Sequence, residues 1–149
     1  MTHTSRISAD PEYLSALGQA FYNFTYLEWI IVCTIAKLSP DGFSSVPKRQ
    51  PASKIARALI SSVAATEPPL PNDLRRDLVR LHQSYLEAIA HRNKLLHAHP
   101  YSTADGDQRL SGGGVDWPPE LVEEASQFFE DVSIQAIEIF HGALKVARP

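Results

Sequence analysis

Four stretches of this chain carry apolar residues at steps of three and four, and each is cut off by a cluster of proline and glycine. That spacing suits helices that bury one stripe and suits no sheet, because a strand repeats every second residue. Asp10-Pro11 reads as a helix start, with a capping side chain followed by proline in the first turn. A seam then runs through Leu14, Leu17, Phe21, Phe24, Glu28, Ile31, Ile35 and Leu38 until Ser39-Pro40-Asp41-Gly42 stops it. Residues 43–51 read as a loop, and Ile55, Leu59, Ile60 and Val63 mark a shorter helix from Ala52 to about Thr66.

After Pro68-Pro69-Leu70-Pro71, a third helix is expected from Asn72 or Asp73 to about Leu96, along Leu74, Leu78, Leu81, Tyr85, Ala88, Arg92 and Leu95. Residues 97–118 hold Pro100, Gly106, Gly112-Gly113-Gly114 and Pro118 and read as a long polar loop, functional or mobile. A last helix from about Pro119 to Ala147 carries Val122, Ala125, Phe129, Val132, Ala136, Ile139, Phe140 and Ala143 inward. No stretch reads as a strand. The expected fold is therefore all-α, an antiparallel four-helix bundle with a long loop before the last helix, residues 1–149 forming a single domain.

Composition narrows the function classes. At 149 residues, 44% hydrophobic and 21% charged, the chain has the make-up of an ordinary globular domain. The net charge of −3 opposes wholesale nucleic-acid binding, which needs a basic face to displace counterions. The charge is uneven, however: residues 45–100 hold nine Lys and Arg against four acids, leaving room for a local basic surface. The single cysteine, Cys33, lies in an apolar run and allows neither a disulfide within the chain nor a zinc-type pair. No leader pattern or membrane-length apolar run is legible, so the expected location is cytoplasmic, away from membranes.

Two charges stand on apolar seams, Glu28 on the first helix and Arg92 on the third. A buried charge needs a partner, so the two are expected to meet, directly or through Asn93, with Glu28 fixing the arginine. The aromatic residues Phe21, Tyr22, Phe24, Tyr26 and Trp29 spread around the first helix more widely than one stripe. That helix is either central to its own fold or part of a dimer interface.

Arg92, Asn93 and His97 end the third helix, with Asn93 and His97 one turn apart on one face. A guanidinium can grip a phosphate through two hydrogen bonds and stabilise charge developing at phosphorus. An imidazole moves a proton near neutral pH, and an amide orients the groups between them. RNA cleavage by its own 2′-hydroxyl needs no metal beyond these. One histidine performs one proton transfer at a time, so a two-fold homodimer supplying a second Arg92 and His97 would complete the site.

At these residues the chain resembles the HEPN superfamily of small helical bundles, whose motif is an arginine, usually a polar residue next, and a histidine after a gap of four to six. Here it stands as Arg92-Asn93-Lys94-Leu95-Leu96-His97, preceded by the Leu27-Glu28 pair on a long first helix and followed by a glycine-containing segment and a final helix. The resemblance implies a homodimer with the motif at the shared cleft. It also implies metal-independent endoribonuclease activity of toxin-antitoxin or phage-defence type, leaving 2′,3′-cyclic phosphate ends, with RNA as substrate and a cognate antitoxin or other regulatory protein as partner. The superfamily also includes non-catalytic modules that bind a protein partner or nucleotide. Some ribonuclease members carry a tyrosine two residues after the histidine; here that position is His99, and the nearest tyrosine is Tyr101.

Lys94, His99 and Tyr101 are the expected substrate-binding residues. His91, His97 and His99 straddle a helix end with no carboxylate or cysteine to complete a metal set, and no cofactor is expected. Ser102 and Thr103 lack a nucleophile elbow, and the glycine triplet precedes no lysine of P-loop type.

Overall fold

The structure is a computed structural model that describes residues 5–46 and 50–149. Lys48 and Arg49, two of the mid-chain basic residues, lie outside them. The chain is mostly helical, with four long helices: α1 (Pro11–Leu38), α2 (Ala52–Ala65), α3 (Asn72–Leu96) and α4 (Pro119–His141). A 3-10 turn spans Gly42–Ser45, and a short α5 (Ala143–Ala147) ends the chain.

The helix starts follow from local chemistry. At α1 the Asp10 side chain accepts the Glu12 backbone N–H at 3.1 Å, with Pro11 in the first turn where no N–H is missed. The expected single last helix breaks at Gly142 into α4 and α5.

One core holds the helices together: α1 packs along α4, α2 touches α1 and α3, and α3 rests on α4. The α3 stripe Leu74, Leu78, Leu81, Tyr85, Ala88 and Leu95 is buried, as its spacing predicts. The α1 seam holds at Phe24, Ile31, Ile35 and Leu38, all buried, and departs from the expected line at its early positions and at the half-buried Glu28. Tyr13, Ala20, Phe24, Leu27 and Ile31 are buried, Leu17 and Phe21 are half-buried, and Leu14 is exposed. An α-helix drifts away from a strict heptad over its length, which carries the early seam positions off the buried side.

The segment 97–118 is not the long loop its composition suggests. It forms an antiparallel meander of β1 (His99–Ser102), β2 (Gln108–Gly112) and β3 (Val115–Trp117), in the order β1-β2-β3. His99 pairs with Ser111 and Tyr101 with Arg109, while Leu110 pairs with Trp117. Gly113 and Gly114, at φ 64° and 76°, make the two-residue turn from β2 to β3, the conformation such hairpins require and side chains resist. Strand residues such as Gln108, Arg109 and Ser111 give no apolar alternation, so the glycines alone carried the signal.

The meander is pinned to two helices where the start of α1 and the end of α3 come together. The buried Tyr13 hydroxyl donates to the Trp117 carbonyl at 2.7 Å and accepts the Leu110 N–H at 3.1 Å, which ties β2 and β3 to the start of α1. Gly112 crosses the end of α3 so closely that a Cβ there would lie 2.7 Å from Ala98 Cα.

Candidate functional site

The candidate site grows from the buried stripe of α3. Arg92 continues the line of Leu81, Tyr85 and Ala88 but is only half-buried, so that the covered part of its charge and donors needs partners in the protein while the rest faces solvent. Its guanidinium carbon lies 4.7 Å from the centroid of the Phe24 ring on α1. Phe24 in turn meets Phe129 edge-on at 5.4 Å and stacks on Tyr85 at 6.2 Å. The guanidinium thus caps an aromatic cluster, a contact worth about 0.5 to 2 kcal/mol. Asn93 holds it from the side: its Oδ1 accepts Arg92 Nε at 3.2 Å and Nη2 at 2.9 Å.

The expected meeting of Glu28 with Arg92 does not form. Glu28 Oε2 instead accepts the Tyr85 hydroxyl at 2.8 Å, and Arg92 turns to Asn93 and Phe24. Tyr85 lies on the same stripe of α3 and brings a neutral donor to the half-buried carboxylate, so that Glu28 has a partner without a second ion beside it. Burial first, and then the Glu28 carboxylate, push the Tyr85 phenol far above its ordinary range, while Arg92 pulls the other way. Tyr85 therefore stands electrostatically between the two charges. Sequence reasoning took it for a core residue; its signal was a hydroxyl-bearing ring on a seam facing Glu28.

The other candidates are spread around the helix end. His97 is the C-terminal cap of α3, with its backbone N–H on the Asn93 carbonyl at 3.1 Å and its imidazole exposed. Among the described residues that imidazole has no hydrogen bond, ion pair or ring contact, so Arg92 and Asn93 are bonded to each other and His97 is bonded to neither through its side chain. Lys94 is exposed, beside the turn glycine Gly113. His99 and Tyr101 belong to β1 rather than to a flexible loop. At 14 residues against 25, α2 is too short to cover all of α3, and Leu86 and Leu96 on α3 remain 44% and 50% exposed.

A second ordered arginine has no sequence signal. Arg109 on β2 lies 4.7 Å over the Tyr13 ring, 3.8 Å from carboxylate oxygens of Asp10 and Asp107, with its side chain 12% exposed. Its surroundings are complete and read as an anchor for the sheet.

Among the described residues no three His, Cys, Asp or Glu side chains gather to hold a metal ion, and no helix is long and apolar enough to cross a membrane. The site presents a guanidinium held by a ring and an amide, a buried phenol bonded to a half-buried carboxylate behind it, and an exposed imidazole one turn from Asn93. No family model matches the chain, and no curated protein or solved structure is similar enough to match it.

Proposed function

We propose that the chain is a HEPN-like helical bundle acting as a metal-independent endoribonuclease, with the Arg92-Asn93-His97 end of α3 as its site. The observation that carries this reading is the state of Arg92. Asn93 uses two N–H groups on one edge of the fork, and the rest have no hydrogen-bond partner among the described residues. Phe24 and Asn93 fix the plane of a guanidinium that retains donors for a phosphate, which is the pre-positioning that stabilises charge developing at phosphorus.

In this reading His97 moves the proton. Its exposed, unbonded imidazole suits a second chain, whose own helix end would place an imidazole against the first chain's guanidinium. The flank of α3 around Leu86 and Leu96, together with the exposed Tyr22, Tyr26 and Trp29 on α1, offers apolar surface for such a homodimer. Cytoplasmic RNA is the substrate, and a cognate antitoxin or regulatory protein the natural partner.

A second reading, a non-catalytic dimeric module that binds a protein or nucleotide, is favoured by the free-standing His97 and by the net charge of −3. Incubation with mixed RNA in excess EDTA separates the two. The ribonuclease leaves 2′,3′-cyclic phosphate ends, and Arg92→Ala and His97→Ala abolish cleavage. Intact RNA, or equal cleavage by all three proteins, leaves the binding module.

A further inference from the structure

On the flank of α3 that carries Lys94, a half-open cleft of about 320 Å³ lies between α3, β3 and α4. Its walls are apolar and aromatic: Val115, Trp117, Leu121 and Phe128. The edge-to-face contact of His91 with Phe128, 5.5 Å between centroids, fixes one aromatic wall. The volume falls at the small end of ligand sites, room for a bicyclic ring rather than a whole nucleotide.

The polar groups narrow the ligand. Lys94 on α3 and Glu124 on α4 border the cleft, both exposed, and form no ion pair with each other. The cleft thus offers one strong donor and one strong acceptor on different elements. The indole N–H of Trp117 has no hydrogen-bond partner among the described residues but is itself sealed from solvent, so Lys94 and Glu124 are the groups the cleft presents to a ligand. A planar ring with donors on one edge and acceptors on another satisfies this set. Guanine has that layout, with N1–H and N2–H on one edge and O6 and N7 on the next, whereas adenine lacks the paired donors.

We propose that this cleft receives an unstacked guanine base of an RNA strand, its ring against the part-exposed Phe128 with Trp117 beneath, its N1–H and N2–H on the Glu124 carboxylate and its O6 or N7 on Lys94. Single-stranded RNA is commonly read this way, by stacking on aromatic side chains and hydrogen bonding to a splayed base edge. The proposal deepens the ribonuclease reading by naming a base, and it places recognition on one flank of α3, away from the Asn93 and His97 face.

The test is titration of the purified protein with GMP and with AMP, followed by the indole N–H resonance of Trp117 and, in a Trp29→Phe background, by Trp117 fluorescence. Saturable binding of GMP is expected, with AMP weaker by at least about fivefold, the lower end of what a paired base contact gives. Glu124→Gln and Lys94→Gln, both at exposed positions, should each weaken GMP by a similar factor at unchanged melting temperature. No saturable response to GMP at up to about 10 mM, far above any useful affinity, overturns the proposal. Equal affinity for AMP, or indifference to both substitutions, overturns it too. RNA cleavage in EDTA is scored separately. GMP binding without cleavage keeps the pocket and removes the ribonuclease, and cleavage without GMP binding does the reverse.

Discussion

The Tyr85 hydroxyl donates to Glu28 Oε2 at 2.8 Å across the interior from α3 to α1, while Arg92 bonds to Asn93. Tyr85→Phe removes the only hydrogen bond to that carboxylate among the described residues. A hydrogen bond to a charged group is worth about 2 kcal/mol, so the melting temperature should fall by roughly 5 °C. Glu28→Gln keeps an acceptor for the phenol and should cost less. Equal losses for the two would mean that the ionised carboxylate matters apart from this bond.

The same phenol sets an alkaline limit. Its ionisation is suppressed in the folded chain, by burial first and then by Glu28, relative to an ordinary value of 10. A group whose pKa is raised on folding contributes its stability in full below the unfolded value and loses it as the pH rises beyond. The wild-type advantage over Tyr85→Phe should therefore be constant up to about pH 9 and shrink by pH 11. Melting curves across that range check it, and a parallel decline of both proteins would count against it.

Arg92→Lys should not rescue Arg92→Ala. Lysine keeps a charge near Phe24 but loses the planar fork that meets Asn93 and, in the proposed reaction, phosphate. Both variants should lower RNA cleavage by about 100-fold or more, the scale seen when one charge-stabilising donor is removed. Full activity in the lysine variant would reduce the role of Arg92 to simple charge.

Tyr13→Phe probes the clasp on the meander. Leu110 N–H loses its acceptor and the Trp117 carbonyl its donor, at a cost of about 1 to 3 kcal/mol. Amide exchange should accelerate in residues 108–117 while the interior of α3 keeps its protection. Uniform acceleration throughout the chain would mean that the sheet does not open on its own.

Gly112→Ala should be among the most damaging single changes outside the core. The added Cβ would sit 2.7 Å from Ala98 Cα, a backbone atom that cannot swing aside. About 2 kcal/mol or more of destabilisation is expected in urea unfolding. Gly114→Ala meets open space instead and suffers only from its φ of 76°, so it should be milder.

The helical part of this fold was legible because Leu74, Leu78, Leu81 and Tyr85 commit one side of α3 to the interior, and prolines mark where helices start. The meander was hidden because Gln108, Arg109 and Ser111 are polar neighbours in a sheet held by backbone bonds and a distant tyrosine. At the site, the placement of Arg92 on a buried stripe could be read from spacing. Its partners could not, because periodicity fixes which side of each helix is inward but not how far one helix is slid along the other, and Tyr85, two turns before Arg92 on α3, is the residue that reaches Glu28. Trp117 and Phe128 look like plain core aromatics until the strand before α4 is known to bring them beside His91 and Lys94.

The Tyr13 clasp joins groups 104 residues apart, and α1 lies along α4, the last long helix to be made. A ribosome therefore delivers the whole first helix well before the surface that covers it exists. Until α4 emerges, Phe24, Leu27 and Ile31 lack part of their final cover, and the nascent chain carries a sticky helix while α2, α3 and the meander are being made. Genetic truncation after α3 should for this reason give an aggregating fragment rather than a smaller folded one.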